Sequence, residues 1–218
     1  MADALGKARA ALRDGDAQTR VGGLHLVQSL SLQAALPEVG ERLRSDEDVS
    51  VRYQAARTLV QFADPASLSS LLQGLRDEDM YVRVQVTSAL IHVGAAAVEG
   101  LTEALGDGRP AVRRAAAMAL GKIGHRDHDA QRALGAALKD VDAAQRRFAA
   151  QALGRLEATE AVEALGVALR DPDARVRDAA ATALLQLGDA ALPILRAALD
   201  DPNPETNYAA ARALTKGS

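Results

Sequence analysis

The sequence predicts an all-α solenoid, a superhelix of seven helix pairs, from three observations. An arginine returns at Arg20, Arg52, Arg83, Arg113, Arg146 and Arg177, with Asn207 one step further, at intervals of 30 to 33 residues across a chain of 218. Six residues before each of these stands an aspartate: Asp14, Asp46, Asp77, Asp107, Asp140, Asp171 and Asp201. Hydrophobic residues make up 48% of the chain and charged residues 25%, and the strong helix formers Ala and Leu dominate. A constant period over the whole length marks stacked units, each leaving an apolar face that only its neighbour can cover. With no linker between periods, the expectation is one domain, 1–218, with units of approximately 2–32, 33–64, 65–94, 95–125, 126–157, 158–188 and 189–218.

Each period reads as two helices. The first carries a single apolar stripe, as in Leu68, Leu71 and Leu75 or Val162, Leu165 and Leu169. It stops at a turn rich in helix breakers, such as Asp107-Gly108-Arg109-Pro110, Asp171-Pro172-Asp173 and Asp201-Pro202-Asn203-Pro204. Asp16, Asp48, Asp79, Asp142, Asp173 and Asn203 lie four residues before the periodic Arg or Asn, where an oxygen can cap the next helix. The second helix reads Val51-Arg52-x-x-Ala55-Ala56-x-x-Leu59, and likewise from Val112 and Val176. Its alanines permit close packing, and Gly94, Gly124 or Gly188 supplies a left-handed stop. Pro37, Pro65 and Pro193 then stand near the start of the following first helix, where a missing N–H is harmless.

The leucine-rich first helix, Asp-Pro-Asp turn, Val-Arg-x-x-Ala-Ala-x-x-Leu run and closing glycine resemble the HEAT repeat. The short period is similar to the subtype named for phycobilisome lyases, and the likeness covers almost all of the chain. The resemblance implies a hydrogen-bonded Asp–Arg ladder inside the stack and second helices that line a concave surface. Members of that family include scaffolds, adaptors, bilin lyases, a DNA glycosylase and a diiron hydroxylase, so fold alone does not select a function. Gly22-Gly23-Leu24 in the first unit and Asn207 in the last depart from the pattern as the end units of an array do.

Composition narrows the chemistry. The absence of cysteine excludes disulfides, thiolate metal sites and cysteine nucleophiles. Met1-Ala2-Asp3-Ala4 begins no basic-then-apolar leader, and no run of about 18 apolar residues is evident, so a cytoplasmic protein without membrane contact is expected. A net charge of −3 and pI near 5.8 argue against generic nucleic-acid affinity, and the absence of tryptophan argues against a base-flipping glycosylase. None of His25, His92, His125 and His128 is followed by glutamate, unlike the His-Glu pairs of the diiron hydroxylases. His125-Arg126-Asp127-His128-Asp129 reads as a loop insertion with an acidic helix start, because a zinc or iron site needs three or four converging ligands. No catalytic residue, cofactor or metal is therefore expected. Five aromatic residues, Tyr53, Phe62, Tyr81, Phe148 and Tyr208, offer little to hold a tetrapyrrole, which leaves a bilin-lyase-like enzyme or chaperone acting with a second subunit as the alternative.

The remaining signal is a face. At about 100° per residue, positions one, five and nine after each arginine point away from the alanine–leucine core. Across the seven second helices these 21 positions hold seven basic residues and one acid, a net of +6, so the rest of the chain carries −9. A groove of one sign concentrates a ligand of the other. The expected function is a non-enzymatic scaffold or adaptor that takes a protein or acidic peptide through Tyr53, Arg57, His92, Arg114, Met118, Lys122, Arg147, Phe148, Gln151, Arg155 and Arg212. Arginine suits bidentate carboxylate contacts, and methionine adapts to varied apolar groups.

Overall fold

A computed structural model describes the backbone of residues 2–216 and the side chains of residues 3–215. The chain is an all-α solenoid and falls into two compact units, Met1–Ala97 and Val98–Ser218. The first contains α1 (Ala2–Leu12), α2 (Ala17–Ser29), α3 (Leu36–Ser45), α4 (Val49–Phe62), α5 (Leu68–Gly74) and α6 (Met80–Val93). The second contains α7 (Val98–Ala104), α8 (Pro110–Ile123), α9 (His128–Ala137), α10 (Ala143–Arg155), α11 (Val162–Ala168), α12 (Ala174–Gln186), α13 (Leu192–Ala198) and α14 (Pro204–Lys216). Single 3-10 turns lead into several first helices, and Pro37, Pro65 and Pro193 stand at the openings foreseen for them.

Within the first unit α2, α4 and α6 stack side by side, and α1, α3 and α5 form the second row. In the second unit α8, α10, α12 and α14 make the corresponding layer, backed by α7, α9, α11 and α13. The core between the rows is leucine from the first helices, such as Leu71, Leu101 and Leu165, against alanine pairs such as Ala55 and Ala56 or Ala116 and Ala117, all fully buried. Each such leucine contributes about 2 kcal/mol by leaving water. Small residues bring the second helices closest. A Cβ on Gly121 would stand 2.8 Å from the Ala152 Cα, and one on Gly154 2.8 Å from the Ala183 Cα.

The capping prediction holds at every position named. Oxygens of Asp16, Asp48, Asp79, Asp142, Asp173 and Asn203 accept N–H groups of the next helix's first turn at 2.7–2.9 Å. Arg109 occupies that place before α8 and makes no side-chain cap, and Pro110 opens the helix instead. Positive φ at these stops is broader than glycine: Gly124 takes the left-handed helical conformation foreseen, Gly188 has φ 63°, Gly94 pairs φ 73° with ψ −136° and so lies outside that conformation, and Ser31, Ala63 and Glu157 have positive φ as well. One expectation needs correction. Residues Met80–Ala104 are long and apolar enough to cross a membrane by length and composition, which the sequence reading overlooked. In the structure Gly94, at φ 73°, ends α6 and splits the segment, and Val82, Val86, Ala89 and Leu90 lie wholly in the core.

Candidate functional site

The periodic arginines and aspartates come together as a ladder with a direction. In the first unit the Nε and Nη2 of Arg20 donate to the two Asp46 oxygens, both at 2.8 Å, and Arg52 grips Asp77 at 2.8 and 3.2 Å. In the second, Arg113 holds Asp140 at 2.7 and 2.8 Å, and Arg146 holds Asp171 at the same distances. The remaining nitrogen, Nη1, donates to main-chain carbonyls of the arginine's own turn: Asp14 and Gly15 for Arg20, and Asp140 and Val141 for Arg146. Each of these four arginines therefore meets the carboxylate of the following repeat, 25 to 27 residues on, and only the backbone of the aspartate six residues before it. The fork geometry of guanidinium makes this triple grip possible, and lysine could not reproduce it.

Protonation equilibria follow from that geometry. Hydrogen bonds donated to the paired aspartates push the Arg20, Arg52, Arg113 and Arg146 pKa values up. The Arg113 hydrogen bond lowers the Asp140 carboxyl. At Asp171 burial works upward, but hydrogen bonds from Arg146 and the Asp173 N–H, with the charges of Arg146 and Arg177, carry the carboxyl below its ordinary value. The pattern changes at the last repeat. Arg177 turns to Glu205 at 2.6 Å, Asp201 pairs with Arg170 at 2.5 Å, and Asn207 donates to the Leu199 carbonyl. The ladder is structural: its guanidinium groups are occupied by the protein's own acceptors.

The second-helix face is different. In the first unit Arg57 and His92 are exposed and Tyr53 is half-buried on α4, with the His92 Nδ1 2.7 Å from the Ser88 carbonyl oxygen. In the second unit Arg114, Met118, Arg147, Phe148, Gln151 and Arg212 are half-buried, and Lys122 and Arg155 are exposed. The structure divides these cations into two sets. Arg114 is bound by Asp142, and Arg212 by Asp178 at 3.1 Å, so two carboxylates neutralise part of the charge summed from sequence. Asp178 was counted in that sum, but Asp142 was not, because its capping role hid its reach to α8. Lys122, Arg147 and Arg155 have no carboxylate partner among the described residues, and Arg147 instead lies over the Phe148 ring at 4.7 Å. Lys216, also in the sequence stripe, lies outside the residues whose side chains are described.

The histidine-containing loop has its expected local structure. Asp127 accepts the Ala130 N–H at 2.8 Å and starts α9, Arg126 pairs with Glu157, and Arg132 pairs with Asp129. Among the described residues no group of three or more His, Asp or Glu converges as a metal would require. Two features escaped the sequence reading. Gln145, at the place taken by Val51, Val82, Val112 and Val176, is fully buried with neither amide atom hydrogen-bonded. Gly121 and Gly154, eight residues after a ladder arginine, set the close helix contacts beside Lys122 and Arg155. The regular spacing of both anomalies within their repeats was the available signal.

With this geometry established, the class of protein is clear: a repeat protein whose units are tied by an arginine–aspartate ladder. The profile of HEAT repeats matches residues 6–91, 68–143 and 131–215, and the chain belongs to the HEAT repeat family. The Escherichia coli protein YibA is similar in structure, with a TM-score of 0.60 and 20% identity over 99% of this chain and 82% of that one. The complex of CpcE and CpcF of phycocyanin lyase from Nostoc contains a chain similar at TM-score 0.51 and 22% identity, over 97% of this chain and 87% of that one. A designed armadillo repeat protein reaches a TM-score of 0.50 at 21% identity, over 84% of this chain and all of the designed one. No curated protein matches the sequence. These likenesses define the fold and leave binding and lyase roles equally open.

Proposed function

We propose that this HEAT repeat protein is a non-enzymatic scaffold that holds an acidic protein or peptide on the second-helix face of its C-terminal unit. The observation that carries the reading is the contrast between two kinds of arginine. Ladder arginines spend their donors on aspartates and turn carbonyls, whereas Lys122, Arg147 and Arg155 have no carboxylate partner among the described residues. They stand on α8 and α10, adjacent helices held together through Gly121, so an incoming carboxylate pair meets cations on a rigid pitch. Met118 beside them adds a deformable apolar contact. In the first unit the exposed residues on α6 include the apolar Tyr81 and Val84.

The test is a pair of charge reversals measured on the captured partner. Arg147→Glu is expected to weaken binding by at least about tenfold, the scale of a lost charge-assisted contact, and to flatten the salt dependence. Glu103→Lys, an exposed change on the first helix α7, is expected to leave affinity within about twofold. Equal loss in both variants, or in neither, would contradict the assignment.

A further inference from the structure

A cleft opens in the second-helix layer between α12 and α14, with a volume of 300 Å³ on one side and an adjoining 140 Å³ lobe. Its cause is local. In the smaller lobe the facing side chains are Ala181, Ala209 and Ala213, and in the larger one Ala174, Pro204 and Tyr208 supply the apolar wall while the paired Arg177 and Glu205 stand on its rim. No glycine draws these two helices together as Gly121 and Gly154 do for α8, α10 and α12, and α12 touches α14 less extensively than it touches α10. The mouth carries the aromatic Tyr208, 63% exposed, with the Arg212 guanidinium 5.7 Å from its ring centre. Arg212 also reaches across to both Asp178 oxygens at 3.1 Å, an exposed ion pair that a partner's carboxylate can replace at little net cost.

We infer that this cleft receives a single apolar or aromatic side chain of the partner, and that the partner carries carboxylates about four residues away. The inference rests on the acidic-partner reading and specifies its ligand. Charge complementarity sets the occupant: α10, with Arg147 and Arg155, is the next helix in the same layer beyond α12. Packed helices lie about 8–10 Å apart, so one and a half spacings separate cleft and cations by roughly 12–15 Å, a distance an extended chain covers in about four residues. The apolar floor takes the anchor, Tyr208 flanks it, and the α10 cations take the acids. A rigid apolar anchor ringed by charge is the arrangement that concentrates binding energy in peptide recognition.

The probe is an alanine-methyl NMR titration with two synthetic peptides, each having two glutamates at either end and three serines on each side of a central residue, Phe in one and Ser in the other. On the wild-type chain the Phe peptide is expected to bind on the order of tenfold tighter, the effect of burying one aromatic ring, and to shift the Ala209 and Ala213 methyls. Thr182→Trp, an exposed change at the edge of the cleft, is expected to erase the Phe advantage while leaving the salt-sensitive binding common to both peptides. Arg147→Glu/Arg155→Glu weakens both peptides together. Circular dichroism of each variant establishes that it folds. Two peptides that bind alike, with the Ala209 and Ala213 methyls unmoved, would overturn the cleft assignment and leave the basic face intact. A Phe peptide that binds the double reversal unimpaired would overturn the acidic flank, and absence of any salt-sensitive binding to the wild type would remove the underlying reading as well.

Discussion

Gln145 occupies a valine's place in the repeat, wholly buried, with both amide atoms lacking a partner. A buried polar group without a hydrogen bond costs about 1–3 kcal/mol, so Gln145→Val is expected to raise unfolding free energy by about 1–2 kcal/mol in urea titration. An unchanged or lower midpoint would mean the amide is satisfied by water or by a shifted rotamer. Ala63 poses a backbone problem of similar scale. At φ 48° it holds the left-handed position that Gly124 takes in a later repeat. Relief of that strain exceeds the extra chain entropy of glycine only modestly, so Ala63→Gly is expected to stabilise by about 0.5 kcal/mol, read as a small rise in Tm.

At the level of the element, the ladder and the helix crossings make opposite demands on substitution. Asp140 and Asp171 have folded-state pKa values below those of the unfolded chain, so their contribution is complete above the ordinary carboxylate range, about pH 4. It is lost as pH falls through the lowered folded values. Acid titration of stability is expected to be steeper for the wild type than for Asp171→Asn below about pH 5, with the variant less stable at neutral pH because Arg146 loses its carboxylate. Parallel curves would show that the rung does not set acid sensitivity. At the crossings, Gly121→Ala forces a methyl against the Ala152 backbone, which no side-chain rotation relieves. The expected loss is about 1–3 kcal/mol, with circular dichroism still helical.

At the level of the whole molecule, the repeat pattern made the architecture legible because each defining residue has one local job. The cap aspartates accept one or two amides two or three residues on, and the arginines bind their own turn, so spacing along the chain translates directly into contact. The direction of the ladder was not legible, since an arginine six residues from one aspartate and 25 to 27 from another is equally periodic with both. The face was legible as a set of exposed positions, because helical periodicity separates Lys122 and Arg155 from the alanine core. Its charge was not. Asp142 sits in a turn by sequence, yet reaches Arg114 in space, and only the packed helices show which cations stay unpaired. The uneven α12–α14 packing was likewise hidden, because the last repeat is as alanine-rich as its neighbours and differs only in how little it places between the helices.

The central claim is that Lys122, Arg147 and Arg155 form the partner-binding surface. Its most direct test is partner capture from native lysate with the wild-type chain and with Lys122→Glu/Arg147→Glu/Arg155→Glu, after circular dichroism has shown equal helicity. The account predicts at least one protein enriched on the wild type and lost on the triple variant, with binding that weakens as salt rises. An identical set of partners on both chains would contradict it and move the binding surface away from the second helices of the C-terminal unit.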